Sequence, residues 1–198
     1  MLVYASLGGR TQGFIVPGDS AGLTVSDERE KLMSLNALPM YRVKLDSVKI
    51  LASNRLGGTS GHDFEPILAA MHVASAAAAV GVANAAFEYS MNYAKEREAF
   101  RVKIAQKQAI AFMLAEMRTE IEASRLLTWE AAWKLDQGKE DAFTEAYLAA
   151  TGAADMAMMV TDRAVQILGG HGYIREHPVE MWMRNGRGFA MFTGLAII

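Results

Sequence analysis

Cysteine is missing altogether from the 198 residues, which excludes disulfides, thiolate metal sites and cysteine nucleophiles together. A reducing compartment fits that absence, and the expected setting is the cytoplasm. Net charge is nearly missing too: the formal value is −2, so the chain carries no basic footprint for nucleic acid. With 52% hydrophobic residues it has the material for a packed core and does not read as disordered. The opening "MLVYASLGGR" has no basic leader followed by an apolar stretch, so a secretory signal is not expected. The most apolar window, Ile67 to Phe87, is about as long as a membrane span. It is nearly half alanine, includes His72, Ser75 and Asn84, and runs into "YAKERE", so a buried, closely packed helix is expected and no membrane. Catalytic signatures are also few. No Lys-Ser/Thr follows the glycines of "QILGGHGYI", no serine lies in a G-x-S-x-G context, and His62, His72, His171 and His177 show no metal-ligand spacing.

What is present changes character along the chain. Residues 1 to about 60 are short β-rich pieces with turn punctuation, such as "GFIV" before "PGDSAG". In "YRVKLDSVKI", Val43, Leu45, Val48 and Ile50 suggest strand pairing broken near Asp46. These strands are too few to close a sheet and leave unpaired edges. Either a partner chain completes the sheet, or the polypeptide is a fragment. From about residue 61 helical runs take over, at about 63–97, 104–136, 140–168 and 177–191, with Ile67, Met71, Ala74 and Ala78 expected on one stripe of the first. The expected fold is mainly α: an up-down four-helix bundle preceded by a partial antiparallel β-domain.

Three stretches carry chemical interest. In "QILGGHGYI" (166–174), a glycine after a helix is most simply a C-cap, because a left-handed turn is cheap only without a Cβ. That accounts for Gly169 or Gly170 but not for all three glycines, and the alternative is bare backbone approached by a phosphate or a flat ring. "YAKEREAF" and "KIAQKQAIAFMLAEM" place Arg97, Phe100 and Gln108 at a helix–helix corner, where they either hold a pyrophosphate and stack a base or form a solvated corner.

Taken together, "GFIVPGDSAGLTV", "VKLDSVKILASNRLGG", "YAKEREAF", "KQAIAFMLAEM", "SRLLTWEAAWKLDQG", "AVQILGGHGYI" and "PVEMWMRNGRGFAMFTG" resemble the acyl-CoA dehydrogenase family nearly end to end. Members are flavoenzymes that remove two hydrogens across a carbon–carbon bond of an acyl thioester. The resemblance covers the end of the middle β-domain, residues 1–60, and the C-terminal bundle, residues 61–198; roughly the first half of a full-length member has no counterpart. It implies FAD at a subunit interface, with Arg97 on its pyrophosphate and Phe100 against its adenylate portion. Ile104, Gln108 and Ile110 are implied nearby, as are Gln166, Ile167 and Gly170. Implied partners are another acyl-CoA dehydrogenase-like chain in a homo- or hetero-oligomer, an acyl-CoA substrate and electron-transfer flavoprotein; no metal is implied.

The catalytic pattern departs from the family. Where members place a base Glu in a Glu-Gly-Thr segment, this chain has Thr193 and Leu195, and at the alternative base position Met71 precedes His72. A neutral hydroxyl is no general base, and loss of the carboxylate forfeits a contribution of about 10²–10⁴ in rate. Asn185 stands where the Asp after Arg184 is usual. Three readings follow: a subunit that contributes FAD contacts but has an inactive half-site, an enzyme whose base comes from Glu65 or a partner, and a bundle that has lost flavin and serves assembly.

Overall fold

The computed structural model describes residues 1–191. Its described residues divide into two compact units, Met1–Leu32 with Asn36–Leu68, and Met33–Leu35 with residues 69–191.

The first unit holds two antiparallel ladders. Strand β1 (Leu2–Leu7) pairs with β2 (Arg10–Ile15) from Leu2↔Ile15 to Leu7↔Arg10, across a Gly8-Gly9 turn with positive φ at both glycines. Strand β3 (Leu23–Arg29) pairs with β4 (Tyr41–Leu45) and shifts register between Val25 and Arg29. Val48 and Ile50 are not in a strand, contrary to the alternation read from the sequence. The ladder ends at Leu23↔Leu45, Asp46 N–H donates to Gly22 O, and Ser47 takes φ 54°, so the residues beyond have no partner strand. Buried Gln12 organises the end of this unit: its Oε1 accepts from Arg55 Nε at 3.1 Å, Arg55 Nη2 at 2.9 Å and His62 N–H at 3.2 Å.

Four helices dominate the rest: α1 (Glu65–Glu96), α2 (Gln108–Asp136), α3 (Ala142–Leu168) and α4 (Val179–Phe189). Helix α3 makes the close backbone contacts, with α2 and with α4. Its buried side is mainly alanine, from Ala142 and Ala146 through Ala153 and Ala157 to Ala164, with Met156, Val160 and Ile167 supplying the bulk. At the α3–α4 crossing, a Cβ on Gly186 would lie 2.6 Å from Thr161 Oγ1, so this glycine sets the approach distance.

Helix α1 is long and apolar enough to cross a membrane by length and composition alone. Its buried stripe is His72, Ala76, Ala79, Ala83 and Ala86, which join the core cluster or pack beside it. The stripe expected from the sequence is rotated away from this one: Ala74 and Ala78 are exposed and Ile67 and Met71 are half-buried. A helix that is apolar on every side carries no periodic mark of which face turns inward.

Helix α2 begins four residues later than expected. Residues Ile104–Gln106 form a 3-10 turn, and Lys107 is extended at φ −76°, ψ 122°. Before that turn comes a miniature hairpin, β5 (Glu98–Ala99) with β6 (Val102–Lys103), which the sequence did not announce. Its two turn residues, Phe100 and Arg101, have φ of 55° and 66°. Both values belong to a type I′ turn, which favours Asn and Gly, so an ordinary side chain at each position stores strain of about 1–2 kcal/mol.

Candidate functional site

The stop of α3 and the end of α1 meet around an open pocket of about 370 Å³. Tyr93 and Arg97 line it from the α1 side, Ala99 and Ile104 from the hairpin segment, and Ile167 to His171 from the end of α3. Of the eight expected cofactor residues, Arg97, Ile104, Ile167 and Gly170 therefore share one wall. Phe100, Gln108, Ile110 and Gln166 do not line it. Phe100 stands 90% exposed at the hairpin tip, with Lys107 Nζ 5.4 Å from its ring centroid. Gln108, at the start of α2, and Gln166 are exposed, whereas Ile110 packs partly buried against the helical core.

Local structure positions Arg97 firmly. Its N–H donates to Tyr93 O at 2.8 Å and its carbonyl accepts from Ile104 N–H at 2.9 Å, which closes the hairpin onto the end of α1. The neighbouring charges are already paired: Lys103 Nζ lies 2.8 Å from Glu98 Oε1 and donates to Glu96 O at 2.9 Å. That pairing holds the Glu98 carboxyl below the usual carboxylate range. Arg97 itself has no carboxylate within ion-pair distance among the described residues, and no acid lines the pocket. An exposed, backbone-anchored guanidinium beside bare glycine backbone is suited to an anion.

The three glycines separate by cause. Gly169 caps α3 with φ 58°, and its N–H donates to the carbonyls of Gln166 and Val165. Gly172 is buried, and a Cβ there would lie 2.5 Å from Val165 O. Gly170 has neither reason: its φ is not in the left-handed region, and a Cβ added to it meets nothing within 4 Å among the described residues.

Sequence reasoning missed the aromatic block behind this wall. Tyr93 Oη lies 2.7 Å from His171 Nδ1, Tyr89 Oη lies 2.8 Å from His177 Nδ1, and the two imidazoles sit 5.5 Å apart. The available signal was the i, i+4 spacing of Tyr89 and Tyr93 on α1, facing two histidines six residues apart. Among the described residues no three His, Asp or Glu side chains are grouped to hold a metal.

The residues considered for catalysis lie elsewhere. Met71 is half-buried and His72 is buried, with its ring centroid 5.6 Å from Tyr147 and 6.2 Å from Phe143; burial pushes its imidazole below the ordinary histidine value. Glu65 is exposed at the start of α1, its N–H donating to Asp63 Oδ1 at 3.2 Å. Thr193 and Leu195 lie outside the described residues. Asn185 has a structural task, since its Oδ1 accepts from Leu35 N–H at 2.9 Å and so secures a residue at φ 51°. Arg184 pairs instead with Glu180, Nε to Oε2 at 2.8 Å and Nη2 to Oε1 at 3.0 Å.

Comparison with known proteins gives this geometry its context. The chain is 34% identical over 188 residues to the mitochondrial short-chain specific acyl-CoA dehydrogenase of Sus scrofa, covering 93% of this chain and 45% of that protein. It is 36% identical over 184 residues to the caffeyl-CoA reductase-Etf complex subunit CarC of Acetobacterium woodii, covering 91% and 48%. The butyryl-CoA dehydrogenase structure from Megasphaera elsdenii superposes with a TM-score of 0.86 at 31% identity, over 98% of this chain and 52% of that one. The chain thus spans about half the length of the relatives it matches. The family model for the acyl-CoA dehydrogenase C-terminal domain matches residues 65–196, well over half of the sequence, and the chain belongs to the acyl-CoA dehydrogenase family.

Proposed function

We propose that this chain is the end of the middle β-domain (1–60) and the C-terminal bundle (61–198) of an acyl-CoA dehydrogenase-type flavoprotein, and that it contributes contacts to FAD held mainly by a neighbouring chain. The observation that carries this reading is Gly170, which the packing of the described residues leaves without a reason to lack a side chain, on the same wall as the Arg97 guanidinium. Arg97 would hold the pyrophosphate, with Phe100 against the adenylate portion. Ile104, Ile167 and Gly170 line the approach, and Gln108, Ile110 and Gln166 belong to the same contact surface. When bound, FAD supplies the acceptor for hydride transfer. Phe100 supports the reading independently, because a strained, 90% exposed aromatic is a costly arrangement for a side chain whose ring meets only the Lys107 ammonium among the described residues.

In this reading the chain assembles with another acyl-CoA dehydrogenase-like chain, the substrate is an acyl-CoA thioester, and electron-transfer flavoprotein receives the electrons. The last point is supported by similarity to a subunit of an Etf complex. The chain's own half-site lacks a carboxylate at both places where the family carries its base, Thr193 and Met71.

The decisive experiment is co-purification with a complementary chain, followed by flavin absorbance. Arg97→Ala is expected to weaken FAD retention roughly 10–100-fold, the value of about 1.5–3 kcal/mol for a charge-assisted contact. Unchanged occupancy removes Arg97 from the site. In the same assembly, Thr193→Glu is expected to raise anaerobic, acyl-CoA-dependent bleaching of the flavin from near background. Rapid bleaching before the substitution, slowed by it, defeats the inactive half-site and makes Glu65 the first carboxylate to replace.

A further inference from the structure

Arg97 is not the sole donor on the pocket wall. His171 lines the same pocket, and its ring is fixed from behind by Tyr93, whose Oη lies 2.7 Å from Nδ1. The proton in that bond has a preferred owner. A neutral imidazole nitrogen is a stronger acceptor than a phenol oxygen, and the phenol O–H is a ready donor. Tyr93 therefore donates to Nδ1, and the neutral ring carries its own hydrogen on Nε2. Nε2 has no hydrogen-bond partner among the described residues. The ring cannot easily turn away. His177 lies against it at 5.5 Å between centroids and is itself held by Tyr89, which packs edge-on to Trp182 at 5.8 Å. Tyr89, Tyr93 and Arg97 follow one another at intervals of four, so a single stripe of α1 and its continuation presents both the guanidinium and the tyrosine that orients the imidazole.

We propose that His171 Nε2–H is a second donor, beside Arg97, to the diphosphate of a bound dinucleotide, and that Tyr93 is the positioning residue that sets its tautomer. The inference rests on the reading of this pocket as a cofactor contact and adds to it a residue which composition and spacing left as a lone histidine. Its chemistry is recognition of a diphosphate. Both a flavin adenine dinucleotide and the substrate's coenzyme A arm carry one, and the assignment is to the flavin nucleotide.

The test uses the full chain labelled with ¹⁵N in histidine and arginine, read by long-range ¹H–¹⁵N spectra during titration with inorganic pyrophosphate, then ADP, then coenzyme A. At about pH 8.5, where imidazoles are ordinarily neutral, the expected result is a His171 hydrogen on Nε2, and His171 and Arg97 resonances that move with one shared half-saturation for pyrophosphate and for ADP. His171→Leu is expected to weaken that binding roughly 10-fold, and His171→Gln, which restores a donor near the Nε2 position, to recover most of it. Tyr93→Phe keeps the ring and is expected to mix the two tautomers with a roughly fivefold loss. If Arg97 responds and His171 does not, this inference fails while the cofactor reading stands. If neither responds at millimolar pyrophosphate, both fall. Tighter binding of coenzyme A than of ADP overturns the assignment to the flavin nucleotide, and a hydrogen found on Nδ1 in the unmodified chain overturns the role of Tyr93.

Discussion

Gly170 and Gly172 are two residues apart and are glycine for different reasons. At Gly172 an added methyl would lie 2.5 Å from Val165 O, so Gly172→Ala is expected to destabilise the fold by about 1–3 kcal/mol, seen as a lower thermal midpoint. At Gly170 the same methyl meets nothing within 4 Å, so Gly170→Ala is expected to stay within about 0.5 kcal/mol of the parent and yet to lower flavin retention in the assembled protein. A Gly170→Ala variant that melts early, or one that keeps its flavin, removes the main support for the proposed function. The sequence could not separate these glycines, because a cap, a tight packing contact and an open approach are all spelled with the same letter. Phe100 and Arg101 show the converse failure: two left-handed positions carry residues that give no local sign of a turn, so the hairpin stayed invisible.

Helix ends were more legible than helix faces. The stop of α3 at Leu168 follows from Gly169, whose φ of 58° is the conformation a glycine admits most cheaply. The inward face of α1 did not follow from its sequence, since alanine stands on both its buried and its exposed sides, as at Ala76 and Ala78, and marks neither. Helix α4 yields a prediction in pH. The Arg184 guanidinium beside Glu180 holds that carboxyl below the usual carboxylate range. A depressed folded-state pKa contributes stability that is fully present above the unfolded value of about 4.3 and is lost as pH falls through the lower folded value. Glu180→Gln is therefore expected to cost about 1 kcal/mol at neutral pH, with the difference shrinking as the solution is acidified below about pH 4. Urea midpoints at pH 7 and pH 3 check this, and a difference that grows on acidification contradicts it. Arg184 Nη1 also donates to Met33 O at 3.1 Å, so the ion pair helps hold that segment beside the helix.

At the scale of the molecule, the family and the helical architecture were legible because long motifs recur in order, whereas the clustering of only half the expected cofactor residues was not. Phe100, Gln108 and Gln166 present themselves outward, and their use depends on something beyond the chain's own interior. The outer side of α2 points the same way: Leu126, Trp129 and Trp133 are 60%, 63% and 54% exposed at helical spacing. Such a stripe predicts self-association, with light scattering giving at least twice the 21.6 kDa of one chain; a monodisperse monomer at micromolar concentration argues against a buried role for that face. The alanine interior has a last consequence. Most cores are sensitive to truncation, but Ala83, Ala146, Ala153, Ala157 and Ala164 are fully enclosed and have almost nothing to lose. Enlargement is the damaging direction here: a valine or leucine at any of them must push helices apart, so only glycine, alanine and serine are expected to be tolerated at these sites.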